Sequence, residues 1–230
     1  MTDVLSSKNV LLTAADLLSV RVGENNSSLV NLEEVLPWIK TKLEKEDMLP
    51  YTGRDIFVRE EVARRLRVAY EQLQAEIPGA TFLVVYGYRH PKIQSSYFSR
   101  RFAAHKAEQE NLSEVELIEL THTQVAFPEV AGHPTGGAVD ITILDSDGER
   151  IDMGTKIADY SEPEKCYTYS SAITKQQAGN RSVLAEVMIA SGFAPFNGEW
   201  WHFSYGDREW ACYYGHETSL YDQIEFSSLE

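Results

Sequence analysis

Three ionisable residues stand in or beside apolar, strand-like stretches of the chain: His133, Asp140 and His202. Two neutral imidazoles and one carboxylate form a donor set that zinc accepts, and three protein ligands leave a fourth position to water. That make-up belongs to a hydrolytic site rather than a structural one. An ion so held lowers the pKa of its water and polarises a substrate carbonyl. Glu199, three residues before His202, is placed to take the proton of that water and pass it to a leaving amine. A lone histidine reads otherwise, as a surface or hydrogen-bonded core residue, and His90, His105, His122 and His216 stay in that class. Trp200, Trp201 and Phe203 read first as core aromatics.

The elements that must position these groups follow from periodicity. Val58, Val62, Leu66, Tyr70, Leu73 and Ile77 recur every three or four positions, which predicts an amphipathic helix ended by Pro78 and Gly79. Residues 81–86 are a β-branched and aromatic run that predicts a strand. Ser113 and Glu116 have the spacing of a capping box and open a second helix near 113–120. A third covers roughly 175–190, with Gly192 placed to end it. Residues 137–144 predict a strand whose alternation sets Val139, Ile141 and Ile143 on one face and Ala138, Asp140 and Thr142 on the other. Asp140 thereby faces away from the aliphatic core. Gly136 and Gly137 let the chain turn between His133 and that strand. Residues 145–148 read as a turn and 149–153 as a hairpin partner. Residues 198–204 predict a further strand, which would put Trp200 and Trp201 on opposite faces, one walling the site and one in the core. The fold class expected is α+β, with helices packed on a small, mostly antiparallel sheet.

With 230 residues and 43% hydrophobic content the chain can bury a core of its own. No repeat or low-complexity run divides it. A formal net charge of −14 argues against nucleic acid or an anionic membrane surface as the main partner. Two cysteines, Cys166 and Cys212, are too few for a disulfide scaffold or a four-thiolate zinc site. The apolar stretch 10–20 is short, interrupted by Asp16 and preceded by no basic cluster, so neither a secretory leader nor a membrane span is expected. A cytoplasmic location with reduced thiols is the expectation. Nothing in the sequence sets an oligomeric state.

The residues flanking the three donors carry a resemblance. His133-Pro-Thr-Gly-Gly-Ala-Val-Asp140 resembles the signature Ser-x-His-x-x-Gly-x-Ala-x-Asp of the zinc D-alanyl-D-alanine metallopeptidases, and Glu199-Trp-Trp-His202 resembles their second signature, Glu-x-x-His. Tyr51-Thr-Gly53, Gly87-Tyr-Arg89, Met153-Gly154, Asn180-Arg181 and Ser191-Gly-Phe193 extend it toward the D-alanyl-D-alanine dipeptidase branch, which includes the dipeptidases of vancomycin resistance. The resemblance implies the fold of that family and one zinc ion on His133, Asp140 and His202, with Glu199 as general base. It also implies that Arg89 stabilises the oxyanion formed when water attacks the peptide carbonyl; taken alone, Arg89 reads as a surface ion-pair residue. The substrate implied is D-alanyl-D-alanine or a similar dipeptide. A carboxypeptidase acting on peptidoglycan stem peptides and a catalytically inactive dipeptide-binding homologue are the alternatives.

The chain departs from the family at three positions. The leading Ser is Ala131, the residue three before the arginine, usually acidic, is Tyr86, and the aspartate that binds the substrate's amino group falls at Ala158. Asp159 next to it is expected to compensate, with Tyr86 and Trp201 as further substrate contacts. The resemblance starts near Pro50, which divides the chain into an N-terminal arm, 1–49, detached by the turn-like residues 22–28, and a peptidase domain, 50–230.

Overall fold

The computed structural model describes residues 11–229. Residues 1–10, the front of the expected arm and of the stretch weighed as a leader, lie outside the described residues, as does Glu230. The chain opens with α1 (Ala14–Ser19), capped reciprocally by Thr13 and Asp16, and continues through β1 (Leu29–Asn31), α2 (Leu32–Val35), β2 (Lys40–Thr41) and α3 (Leu49–Thr52). Next come β3 (Phe57–Arg59), α4 (Glu60–Glu76), β4 (Thr81–Tyr86), α5 (Pro91–Glu108) and α6 (Glu114–His122). The second half holds β5 (Ala138–Leu144), α7 (Lys175–Ala190), β6 (Ala194–Pro195), β7 (His202–Ser204) and α8 (Arg208–Tyr214).

Five strands form the main sheet in the order β2-β4-β5-β7-β6, antiparallel except for the β2–β4 pair, and β1 pairs with β3 in a separate antiparallel ribbon. The α+β expectation holds. Strand periodicity decides which side chains meet which layer. Phe82 and Val84 of β4 and Val139, Ile141 and Ile143 of β5 join Leu66, Leu73, Leu184 and Met188 of α4 and α7 in the main core. Leu83, Val85, Asp140 and Thr142 turn to the opposite face, and they too are buried. A buried carboxylate on the face away from the aliphatic core is the first structural sign of a site.

Two expectations are corrected. The segment before residue 50 is no peripheral arm from Leu29 onward: β2 is an edge strand of the main sheet, and Leu32, Leu36 and Ile39 are at most 1% exposed within the main core. Residues 149–153 form no strand; a single bridge joins Arg150 to Leu144, with Ile151 N donating to Ile143 O at 3.0 Å. Cys166 is buried and Cys212 half-buried, and neither is in a disulfide. Among the described residues no helix is long and apolar enough to cross a membrane.

Candidate metal centre

β5 has neighbours on both sides, and its register sets Asp140 opposite Tyr86 on β4 and opposite His202 on β7. Directly opposed residues of an antiparallel pair put their side chains side by side on one face. His202 Nδ1 accordingly lies 3.2 Å from Asp140 Oδ1. The strand expected over 198–204 is shorter than that, because Glu199 O accepts from His202 N in a tight turn. That turn brings Glu199 to the site as well.

His133 arrives from a loop. It opens a single 3₁₀ turn, 133–135, that closes on Gly136 at φ 74°, in the left-handed region where a side chain is strained. Arg59, 2% exposed, fixes this turn by donating from Nε to Thr135 O at 2.6 Å and from its amide to Gly136 O at 2.9 Å. His133 Nδ1 donates to Gly87 O at 2.8 Å, which assigns the proton to Nδ1 and leaves Nε2 bare, 3.3 Å from Asp140 Oδ1.

The three donor atoms all lie within 4.8 Å of one another, in buried residues. Tetrahedral ligands about 2.0–2.2 Å from a zinc ion stand about 3.3 Å apart, so the two donor separations measured to Asp140 fit that ion. The electrostatics fit as well. Burial, aided by the Arg89 charge, pushes the His133 imidazole down to about 4 and keeps it a neutral donor. Burial would raise the Asp140 carboxyl, but His133 and His202 outweigh it and hold the group well below the usual carboxylate range. For His202 burial also opposes charge, yet hydrogen bonds to Asp140 and Glu209 hold it well above the ordinary imidazole value. Two buried carboxylates thus demand a cation between them, and a proton on His202 fills that demand when no metal does.

Around the triad lies a cavity of about 710 Å³. Glu199 lines it without a donor role in the triad, and the Tyr160 hydroxyl donates to its Oε1. Burial pushes Glu199 up to about 7, and the Asp140 charge adds to the effect. Arg89, 9% exposed, donates from NH1 to Gln94 Oε1 at 2.8 Å, stands 3.9 Å from Asp140 Oδ2 through NH2, and has no partner on Nε. Its guanidinium lies over the Tyr86 ring at 4.3 Å. Tyr86 itself meets the His133 ring edge-on at 5.5 Å and donates its hydroxyl to Asp47 Oδ1 at 2.8 Å.

The structure brings together His133, Asp140, His202, Glu199, Arg89, Tyr86, Ala131 and Trp201 in this cavity, but not Asp159. Ala158 adopts φ 55°, and its neighbour Asp159 faces a different depression, where it accepts from Ser161 N at 3.1 Å. Trp201 lines the cavity beside Tyr160, their rings 5.8 Å apart, while Trp200 points away and donates to Thr155 Oγ1 at 2.8 Å. Both tryptophans are nearly fully buried. Sequence reasoning missed Tyr160, Asp47 and Glu209. Glu209 Oε2 lies 3.6 Å from His202 Nε2, behind the donor atom. Only Tyr160 had a signal, as the neighbour of the two positions where the family's aspartate was sought.

The family model described as D-Ala-D-Ala dipeptidase matches residues 38–223. The chain belongs to the D-Ala-D-Ala dipeptidase family. It is 31% identical over 198 residues to the D-alanyl-D-alanine dipeptidase of Synechocystis sp., covering 76% of this chain and 80% of that protein. Similarity to the D-alanyl-D-alanine dipeptidase of Enterococcus faecalis is 32% identity over 154 residues, 64% of this chain and 72% of the relative. Among solved structures the chain is similar to VanYB in complex with D-alanine-D-alanine, at a TM-score of 0.43 and 17% identity, covering 88% of this chain and 94% of that one. The match of this dipeptidase family to residues 38–223 takes in β2 and the segment that carries Asp47.

Proposed function

We propose that this chain is a zinc-dependent dipeptidase that hydrolyses D-alanyl-D-alanine or a closely similar small dipeptide. The observation that carries the reading is convergence: one cavity holds the His133, Asp140 and His202 donor set together with Glu199 and Arg89, which no metal site requires. Zinc held by the triad supplies Lewis-acid polarisation of the scissile carbonyl and a water acidified toward neutral pH.

The remaining steps belong to protein groups. Glu199 keeps Oε1 on the Tyr160 hydroxyl and offers Oε2 to the proton of the attacking water, then delivers that proton to the amine of the leaving residue. Arg89 presents N–H donors to the charge that grows on the carbonyl oxygen, in a buried setting where such donors act strongly. Asp47 Oδ2 is buried with no partner, and it takes the substrate ammonium that Asp159 does not reach. Tyr86 and Trp201 wall the site and exclude water from it.

The test is release of free D-alanine from D-alanyl-D-alanine by purified protein, with chelator and with zinc restored. Release that chelator abolishes and zinc recovers supports the reading. Folded, zinc-loaded protein that releases nothing overturns it, and tight dipeptide binding without turnover would identify an inactive homologue. Equal or faster release from a stem pentapeptide would put the carboxypeptidase first.

A further inference from the structure

The triad, Glu199 and Arg89 occupy one end of the cavity, and its other end is walled by α5 and the segment that leads into α3. That wall is cationic. Lys45 Nζ stands 4.6 Å from the centroid of the Tyr97 ring, the Arg100 guanidinium 5.1 Å and the Arg89 guanidinium 5.3 Å, so three cations gather about one phenol. Arg101, next along α5, lines the same cavity with a buried Nε that has no partner.

The carboxylates nearby are engaged elsewhere. Glu44 pairs with Arg150, Glu46 with Arg54 at 3.4 Å, and Asp47 accepts the Tyr86 hydroxyl. Asp140 and Glu209 face His202, and Glu199 holds Tyr160. Among the described residues no ion pair includes Lys45, Arg100 or Arg101. In a chain of net charge −14, surplus cations would find counter-ions on almost any other surface. Converging like charges repel, and the face of Tyr97 offsets only part of that. An anion among them offsets the rest.

A dipeptide such as D-alanyl-D-alanine brings one carboxylate, its own C-terminus. With Arg89 committed to the carbonyl oxygen, that single group leaves most of the wall without a partner. The geometry points to a dipeptide that carries a second carboxylate, on the side chain of its leaving residue, so that both anionic groups of that residue meet Lys45, Arg100 and Arg101. The inference rests on the dipeptidase reading and names the substrate within it.

The test compares D-alanyl-D-glutamate, its neutral isostere D-alanyl-D-glutamine, and D-alanyl-D-alanine on the zinc-loaded full chain. The kcat/KM for the glutamate substrate is expected at least about tenfold above that for the glutamine one, as charge-assisted hydrogen bonds provide. In the Arg100→Gln, Arg101→Gln double variant that ratio falls toward one. Calorimetry with free D-glutamate and D-glutamine, on metal-free protein, is expected to give the same order without turnover. Cleavage of D-alanyl-D-alanine with no preference for glutamate overturns this inference alone, and so does a preference that survives the double variant in full. Release from none of the three overturns the dipeptidase reading, and this one with it.

Discussion

The Tyr160 hydroxyl donates its hydrogen to Glu199 Oε1, so the one carboxylate facing the substrate without a part in the triad is held in place by a buried phenol. Base and ligand roles are thereby separate, and Glu199→Ala is expected to keep one zinc per chain while losing activity by a factor of about 10² to 10⁴. Metal content by emission spectroscopy, set beside D-alanine release, checks both halves. Loss of metal in that variant would count against the separation.

Removing the phenol hydrogen bond acts in a smaller and different way. That bond favours the ionised form of Glu199, so Tyr160→Phe is expected to move the acid limb of the pH profile of kcat/KM upward, with metal content unchanged. A profile that keeps its position would show that Tyr160 does not tune the base.

Burial holds Glu199 near 7 in the folded metal-free protein, above its ordinary 4.5. A group whose folded pKa is raised contributes stability that is complete below 4.5 and lost as pH rises through 7. Glu199→Gln removes that loss. Chelator-treated Glu199→Gln is expected to be more stable than the native sequence at pH 8 by on the order of 3 kcal/mol, and no more stable at pH 4. Thermal unfolding at the two pH values reads this directly.

Glu209 stands behind His202, with 3.6 Å between Oε2 and Nε2. Carboxylates in that position orient the ring and raise its basicity as a ligand. Glu209→Gln is expected to weaken zinc by about 10- to 100-fold in competition with a chromophoric chelator. Unchanged affinity would remove Glu209 from the centre.

Asp47→Asn is expected to raise KM for a dipeptide far more than it lowers kcat, since the charge that meets the substrate ammonium is lost. An N-acetylated dipeptide, which has no ammonium, is expected to show little further loss. An equal loss on both substrates would point instead to disturbance of Tyr86.

A Cβ on Gly136 would adopt φ 74° and run into Leu29 Cδ2, whereas one on Gly148, at φ 83°, meets nothing within 4 Å. Both substitutions to alanine cost about 1 kcal/mol from the left-handed backbone. Only Gly136→Ala is expected to lose more than that and to weaken zinc, because the clash displaces the turn that carries His133.

Where side-chain periodicity governs a segment, the sequence was legible: α4, β4, α6, α7 and β5 lie within a few residues of their expected places. α5 was not, because its buried positions include Gln94 and His105 beside Phe98, and a cavity wall has no apolar stripe to reveal it. The triad was legible from residue types and their flanks. Asp159 was misplaced because a gapless count cannot foresee the left-handed turn at Ala158. Glu209 and Asp47 reach the site only through tertiary packing, from a helix after β7 and a segment before α3, and no local pattern marks either.

Asp140 lies in a strand with partners on both edges, so it cannot shift without breaking ladder bonds to β4 and β7 together. Lys45 precedes a short 3₁₀ turn and Arg100 sits on a helix, and neither belongs to that ladder. Substitutions on the wall can therefore accumulate one at a time while the reacting end keeps its shape. A scaffold divided in this way lets what is hydrolysed drift across descendants while the means of hydrolysis stays fixed.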